Sequence, residues 1–146
     1  MLALLRADLV ILAQGSLYTS TIANLLLPEL REAIVFSGAP VLYVANLMTE
    51  PGESADLDLQ AHLAAIASFG KTRVSGVIVN SAPLPEDLLA RYREEGGQPL
   101  LDPAPSQLGI PLFHYPLLDP EARLARHHPD HLNHAIREVL PRLGYP

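Results

Sequence analysis

Three short polar segments of this chain carry the side chains that could do chemistry. They are Gln14–Ser20 (QGSLYTS), Asn46–Ser54 (NLMTEPGES) and Asn80–Pro85 (NSAPLP). Each segment follows a short apolar run, which is the pattern of a loop at the end of a buried strand. Ligands of parallel α/β sheets bind beyond the carboxyl ends of the strands. These three segments are therefore the first places to look for a binding site.

The first segment could bind an anion. Gly15, Ser16, Tyr18 and Thr19 combine backbone N–H groups with three hydroxyl groups. Such groups can hold a phosphate when they lie at the amino end of a helix. The alternative is an ordinary glycine turn in which serine and threonine cap the next helix. The segment contains neither GxGxxG nor a Walker lysine, so both interpretations stay open.

The second segment combines an amide, hydroxyls and two carboxylates. Asn46 and Thr49 could hydrogen-bond a sugar or a nucleoside, and Glu50 or Glu53 could support a metal ion. The alternative is a Pro-Gly turn followed by acidic residues that cap the next helix. This segment also leaves a binding role and a structural role open.

Four histidines lie within eight residues near the end of the chain: His127, His128, His131 and His134. The first and third are four residues apart, which would place a metal-binding pair on one helical face. Pro129 falls between them, however, and predicts that the helix begins only after His128. The motif HExxH is absent, so we predict no metal site here. No spacing assembles a catalytic triad, and no catalytic residue is assigned.

Composition excludes several classes of protein. The chain has 146 residues, with 10 basic and 16 acidic side chains and a net charge of −6, which disfavours a nucleic acid partner. The absence of cysteine excludes disulfides and thiolate chemistry. No apolar run approaches the ~18 residues of a membrane span, and Arg6 and Asp8 interrupt what would be a signal peptide. We expect a cytoplasmic, soluble protein with no membrane partner.

Short apolar runs predict the strands that position the polar segments. Three near-continuous runs, at Ala7–Ala13, Val41–Asn46 and Val74–Asn80, are typical of parallel strands that are covered on both faces. Two further extended pieces are predicted around Pro99–Leu101 and at Leu112–Tyr115.

Helical periodicity predicts the segments between those strands. Ser20–Ser37 is expected to form two short helices joined near Pro28, with Gly38 as the stop. A further helix is expected over Asp56–Phe69, with Gly70 as its carboxy-terminal cap.

Three more segments complete the pattern. Pro85–Glu95 opens with proline and two acids, as helices often do, and a closing helix is expected at about Asp130–Leu143 with Asp130 as its N-cap. Met1–Arg6 also has a helical pattern. The order β-α-β-α-β-α-β-β-α predicts an α/β fold: a three-layer, Rossmann-like, open and mostly parallel sheet with helices on both faces. Residues 1–146 are expected to form a single domain.

The segments that follow the strands also carry a family resemblance. The runs ADLVILAQGSLYTSTIANLLLPELREAI and VLYVANLMTEPGES resemble the gluconeogenesis factor family, also called morphogenesis factors, which are relatives of 2-phospho-L-lactate transferase. HLAAI, VSGVIVN, LLARYREE and LARHHPDHLNHAI continue in the family's order, so the resemblance covers nearly the whole chain. The family's glycine-rich nucleotide loop has no counterpart here. We therefore expect this chain to correspond to the C-terminal portion of a longer architecture.

The resemblance implies a bacterial protein that binds a nucleotide sugar, typically UDP-N-acetylglucosamine, and links carbon metabolism to cell-wall synthesis and cell shape. Tyr92 in LLARYREE and Arg126 in LARHH match positions that the family uses for the nucleotide sugar. A tyrosine can stack on uracil or sugar, and an arginine can grip a diphosphate. By the same resemblance, the cleft is formed by Gly15, Ser16, Tyr18 and Thr19, with Asn46, Thr49 and Glu53 beside them.

Two alternatives remain at this stage. The resemblance implies binding more strongly than catalysis, but the same loops would suit a metal-assisted phospholactate-type transferase that uses a nucleotide donor and Mg²⁺ near Glu50 or Glu53. The third interpretation is a structural or oligomerisation module without a ligand. In that case a second copy of the chain, or a missing N-terminal portion, would cover an exposed edge of the sheet.

Overall fold

The computed structural model of the chain describes residues 2–100 and 109–144. Four strands form one sheet in the order β1-β2-β3-β4, and every neighbouring pair is parallel. The strands are β1 (Val10–Leu12), β2 (Val41–Val44), β3 (Gly76–Asn80) and β4 (Leu112–Tyr115). Parallel neighbours need a crossover connection between them, which the intervening helices provide. The predicted open parallel sheet is confirmed, with strands shorter than the apolar runs.

The helices occupy the segments with helical periodicity. They are α1 (Leu2–Leu5), α2 (Ala23–Leu25), α3 (Pro28–Ser37), α4 (Leu59–Ser68), α5 (Glu86–Glu94) and α6 (Pro129–Val139). A π-helical turn, Leu17–Ile22, runs directly into α2, and a 3₁₀ turn, Leu140–Leu143, follows α6. No helix within residues 2–100 and 109–144 has the length and apolarity needed to cross a membrane.

The predicted ends of α3 are confirmed. Pro28 lies in the first turn of α3, where its missing N–H leaves no helical hydrogen bond unmade. Gly38 ends the helix with a φ of 67°, a left-handed conformation that glycine adopts without strain.

Helices cover both faces of the sheet, as predicted. On one face, residues of α2, α3 and α4 pack against alternate strand residues, including Val41, Tyr43, Val77 and Val79. On the other face, Ala135 and Val139 of α6 pack against Leu42, Ile78 and Phe113. Because side chains alternate between the two faces of a strand, these two clusters lie on opposite sides of the sheet. The sheet and the helices on its two faces form three layers.

Helix α5 packs beyond the sheet rather than on it. Its residue Leu88 forms a cluster with Leu47, Met48 and Leu118, which lie in the segments that follow β2 and β4. This cluster holds α5, and with it Tyr92, next to the carboxyl ends of the strands. The helix therefore contributes to the wall of the candidate site.

The predicted strand around Pro99–Leu101 is wrong for the part that the structure describes. Pro99 makes only an isolated antiparallel bridge to Met48, and Leu101 lies outside the described residues. A proline has no N–H to donate to a ladder, which limits its pairing to such short contacts. Among the described residues, the structure therefore has no strand between α5 and β4, where the order expected from the sequence included one.

Two predicted helix caps are also corrected. His128, and not Asp130, is the N-cap of α6, because Pro129 occupies the first turn; the His128 Nδ1 accepts a hydrogen bond from the Asp130 N–H at 3.3 Å. Helix α4 is capped by Phe69 in a right-handed conformation and not by Gly70. A Cβ atom at Gly70 would lie 2.7 Å from the Ile66 carbonyl oxygen, so this glycine serves close packing.

Candidate functional site

A cavity of about 400 Å³ lies beyond the carboxyl ends of β1 and β2. Its wall brings together the loops after these two strands, α5 and the segment before α6. The residues that line it are Gln14, Gly15, Asn46, Leu47, Met48, Thr49, Glu50, Tyr92, Ala125, Arg126 and His127. Small-molecule sites typically have volumes of about 300–1,000 Å³, so the cavity is large enough for a ligand.

Asn46 joins the loop after β1 to the loop after β2. Its Oδ1 accepts a hydrogen bond from the Gly15 N–H at 3.4 Å, and its Nδ2 donates to the Gly15 carbonyl at 3.0 Å. One residue along, the Ser16 hydroxyl donates to the Glu50 carboxylate at 2.5 Å. These bonds tie the two loops together and define one wall of the cavity.

Glu53 caps the helical segment that begins at Leu17. Its carboxylate accepts hydrogen bonds from the N–H groups of Tyr18, at 2.5 Å, and Thr19, at 3.2 Å, and from the Thr19 hydroxyl at 3.3 Å. A carboxylate at the amino end of a helix is stabilised by the helix dipole and satisfies its unpaired N–H groups. The Tyr18 ring meets Phe69 edge to face, with centroids 6.3 Å apart.

Thr49 connects the second loop to the segment after α5. Its N–H donates to the Gln98 carbonyl at 2.7 Å, and its hydroxyl accepts from the Gln98 N–H at 3.0 Å. Gly97 permits this approach, because a Cβ atom there would lie 3.2 Å from both the Thr49 carbonyl oxygen and the Tyr92 ring. Thr49 is fully buried and forms part of the cavity wall.

Tyr92 has two separate roles in the structure. Its ring packs with Leu47, Met48 and Leu118 and lines the cavity. Its hydroxyl accepts a hydrogen bond from the Ala125 N–H at 3.2 Å. Tyr92 therefore both contributes a flat surface and holds the neighbouring segment in place.

The segment that carries Arg126 is held by backbone pairing with the loop after β4. The Arg126 carbonyl accepts from the Asp119 N–H at 2.8 Å, and the His128 N–H donates to the Leu117 carbonyl at 2.7 Å. The Arg126 side chain is exposed, and no described residue accepts a hydrogen bond from its guanidinium. Arg126 is one of the residues that line the cavity, and its guanidinium is left without a protein partner among the described residues.

Asn80, in the third polar segment, anchors the same loop. Its Oδ1 accepts hydrogen bonds from the N–H groups of Ala82, Leu117 and Leu118 at 3.1, 2.9 and 3.3 Å. Its Nδ2 donates to the Ala82 carbonyl at 2.8 Å. The role of this segment is therefore to connect the end of β3 to the loop that pairs with the Arg126 segment.

His127 is half-buried in the cavity wall. Its Nε2 lies 3.1 Å from the Ala45 carbonyl oxygen at the end of β2. Burial lowers the pKa of His127 below its usual value of 6.5, and the hydrogen bond to Ala45 opposes part of that change. The imidazole is therefore favoured in its neutral form.

A buried polar pair lies on the sheet face that α4 covers. The Tyr43 hydroxyl and the His62 Nδ1 are 3.1 Å apart, and the His62 Nε2 is buried without a partner among the described residues. Burial raises the pKa of Tyr43, and the nearby charge of Glu50 raises it further. Burial lowers the pKa of His62, while Asp58 and Glu53 oppose the decrease.

The four clustered histidines point in different directions. The His128 and His131 rings stack with centroids 4.3 Å apart, His134 meets Tyr115 edge to face, and His127 contacts Ala45. In residues 2–100 and 109–144, no group of three or more His, Asp or Glu side chains is arranged to hold a metal ion.

The structure brings together some of the site residues predicted from sequence and separates others. Those that line the cavity are Gly15, Asn46, Thr49, Tyr92 and Arg126. The others, Ser16, Tyr18, Thr19 and Glu53, form the neighbouring network of hydrogen bonds and do not line it.

Sequence reasoning did not include Gln14, Met48 or His127 among the ligand-binding residues, although all three line the cavity. Glu50 also lines it, whereas the sequence suggests this residue only as one near a metal ion. Gln14 and Met48 lie next to predicted site residues, and that adjacency was the available signal. The contact between His127 and Ala45 spans 82 positions, so no local pattern could reveal it.

The fold and the cavity define a Rossmann-like α/β protein whose polar site lies at the carboxyl edge of a parallel sheet. Residues 1–116 match the family described as "2-phospho-L-lactate transferase CofD". The chain belongs to this family.

Relatives extend the match over most of the chain. A gluconeogenesis factor from Halalkalibacterium halodurans is 33% identical over 144 residues, covering 96% of this chain and 44% of the relative. A Deinococcus radiodurans relative is 37% identical over 134 residues, covering 91% and 28%. A solved structure of a Bacillus halodurans protein has a TM-score of 0.85 at 30% identity, covering 92% and 44%. The chain thus spans less than half the length of these relatives and matches their C-terminal portion.

Proposed function

We propose that the chain binds a nucleotide sugar of the UDP-N-acetylglucosamine type, and acts as a gluconeogenesis and morphogenesis factor that links carbon metabolism to cell-wall synthesis and cell shape. Relatives named gluconeogenesis factor support the metabolic role. The observation that carries the binding role is Arg126, which lines a cavity of about 400 Å³ and whose guanidinium has no hydrogen-bond partner among the described residues. The proposal places the protein in the cytoplasm.

The charges of the cavity favour one orientation of the ligand. Arg126 can donate two parallel hydrogen bonds to a phosphate, whereas the Glu50 carboxylate in the loop after β2 repels an anion. The diphosphate would therefore lie at the Arg126 end. Sugar hydroxyl groups, which can donate to a carboxylate, would lie toward Glu50, and the Tyr92 ring offers an apolar surface for the base or the sugar.

Titration calorimetry tests this proposal. UDP-N-acetylglucosamine is titrated into the purified chain, with UDP and GDP for comparison. Charge-assisted hydrogen bonds contribute about 1.5–3 kcal/mol, so Arg126→Ala is expected to weaken binding about 10- to 100-fold. Arg137→Ala is the matched control, since Arg137 lies exposed on α6. The proposal is wrong if the wild-type chain gives no saturable binding, or if Arg126→Ala binds as the wild type does.

The second candidate is a transferase that moves a phospho-group from a nucleotide donor. The family description supports it, and Mg²⁺ would be its cofactor. The side chains of residues 2–100 and 109–144 do not form a magnesium site by themselves, because Glu50 is the only acidic residue in the cavity wall. Turnover of a nucleotide donor in the presence of Mg²⁺, assayed by product release, would favour this candidate over binding alone.

The third candidate is an assembly module, and the surface beside β1 favours it. β1 is an edge strand, and Ile11 on it is 40% exposed. A second cavity of about 300 Å³ next to this strand is lined mainly by apolar residues, including Leu4, Leu25 and Ile34. An edge strand with exposed apolar side chains can pair with another polypeptide. A second copy of this chain, or the N-terminal portion present in the longer relatives, would be the partner.

A further inference from the structure

We propose that His127 is a specificity residue of the cavity, and that its Nδ1 accepts a hydrogen bond from a hydroxyl or N–H group of the ligand. The inference rests on the proposed function, because it assigns a role within the same binding site. It gives His127, for which the sequence predicts no metal-binding role, the role of a neutral hydrogen-bond acceptor.

The hydrogen bond to Ala45 determines which nitrogen of His127 carries the proton. A carbonyl oxygen can only accept, so the His127 Nε2, 3.1 Å from the Ala45 oxygen, must be the protonated nitrogen. In a neutral imidazole the other nitrogen then carries a lone pair. Burial disfavours the doubly protonated ring at neutral pH. Nδ1 is therefore an acceptor.

This acceptor is open rather than enclosed. None of the described residues donates a hydrogen bond to the His127 Nδ1. The only buried side-chain polar atom without a partner in the described ranges is the His62 Nε2, so the His127 Nδ1 retains accessible surface. His127 lines the cavity next to Arg126, and its other nitrogen is bound to the sheet. Nδ1 is therefore the ring nitrogen that is left for a ligand in the cavity.

Arg126 and His127 together recognise a specific kind of ligand. Arg126 supplies cationic donors for a phosphate, and His127 supplies a neutral acceptor beside them. An inorganic phosphate ion would use only the first of these groups. A phosphorylated ligand with a neighbouring hydroxyl or N–H group would use both, and nucleotide sugars carry such groups on the ribose, the base and the sugar. The pair would therefore discriminate against simple anions.

His127→Gln is the variant that separates the two nitrogens. The glutamine Nε2 can donate to the Ala45 carbonyl, as the histidine does, but glutamine has no acceptor at the position of Nδ1. Calorimetry with UDP-N-acetylglucosamine should show binding weakened about 2- to 12-fold, the range expected for one hydrogen bond. The matched control is His134→Gln, since His134 lies exposed on α6 against Tyr115. Thermal unfolding checks that both variants fold.

A parallel titration with UDP locates the donor on the ligand. If UDP binding weakens as much as UDP-N-acetylglucosamine binding, the donor is on the nucleoside; if only the latter weakens, it is on the sugar. Either result supports the inference. Equal affinity of wild type and folded His127→Gln for both ligands would overturn it and leave the proposed function standing. A wild-type chain that binds neither ligand would remove the proposed function and this inference together.

A second measurement needs no ligand. Long-range ¹⁵N–¹H NMR spectra of the imidazole at pH 7.5 distinguish the two neutral tautomers and the charged ring. The structure predicts protonated Nε2 and unprotonated Nδ1 for His127. A proton on Nδ1 at that pH would overturn the inference, whether or not the chain binds a nucleotide.

Discussion

Removing one oxygen atom from Tyr92 tests how the Arg126 segment is held at the cavity. The Tyr92 ring packs with Leu47 and Met48, whereas its hydroxyl accepts from the Ala125 N–H at 3.2 Å. Tyr92→Phe keeps the ring and deletes the acceptor. The Ala125 N–H then loses its protein partner immediately before Arg126, so we expect the segment to open more often.

The size of the effect follows from the burial of this hydrogen bond. A typical hydrogen bond contributes about 0.5–1.5 kcal/mol, and a fully buried N–H without a partner costs about 1–3 kcal/mol. The bond between Tyr92 and Ala125 is only partly buried, so water can replace the missing hydroxyl. We therefore expect a cost of about 0.5–1 kcal/mol, which corresponds to a factor of about 2–5 in local opening.

Amide hydrogen exchange measures this opening directly. Exchange at the Ala125 N–H should become about 2- to 5-fold faster in Tyr92→Phe, because the rate of exchange follows the population of the open segment. Tyr115→Phe is the matched control, because Tyr115 packs with the α6 cluster on the other face of the sheet. Unchanged exchange at Ala125 in Tyr92→Phe, or an equal change in Tyr115→Phe, would refute the positioning role of the hydroxyl.

Three further outcomes are expected. Because burial lowers the pKa of His62 below 6.5, this histidine is protonated in the unfolded chain before it is protonated in the folded one as the pH falls, and the folded state loses stability. Denaturant titrations at pH 7.5 and 5.5 should show this loss, and the loss should be smaller in His62→Leu by up to about 1.4 kcal/mol. An equal loss would contradict this account. Glu53→Gln should lower the free energy of unfolding by about 1 kcal/mol and spare nucleotide binding, whereas lost binding at unchanged stability would place Glu53 against the ligand. Ile11→Lys should reduce any concentration-dependent association seen by sedimentation, and unaffected association would exclude the β1 edge.

The fold class was predictable because its signals are local. A run such as VLYVAN is apolar at nearly every position, and a strand buried on both faces needs that composition. The break at Pro28 and the stop at Gly38 follow from the chemistry of single residues. The errors arose where a neighbour overrode a local preference: Pro129 moved the cap of α6 to His128.

The candidate site was only partly predictable, because loops were assigned from their composition. Composition placed polar groups after β1 and β2, and the family resemblance selected Tyr92 and Arg126; all of these segments contribute to one cavity. Composition could not distinguish Glu50, which lines that cavity, from Glu53, which caps a helix. Both are glutamates in one turn, and their partners lie more than 30 positions away.

The amino-acid order alone establishes that the chain alternates apolar strands with helices and that its polar groups follow the strands. Those properties depend on burial and backbone conformation over a few residues. The use of each polar group depends instead on which distant group it meets. The side chain of Asn46 bonds to Gly15 and that of Thr49 to Gln98, whereas the Arg126 guanidinium has no hydrogen-bond partner among the described residues. Only the tertiary structure determines this pairing, because a hydrogen bond requires atoms to lie within about 3 Å of each other wherever they occur in the chain.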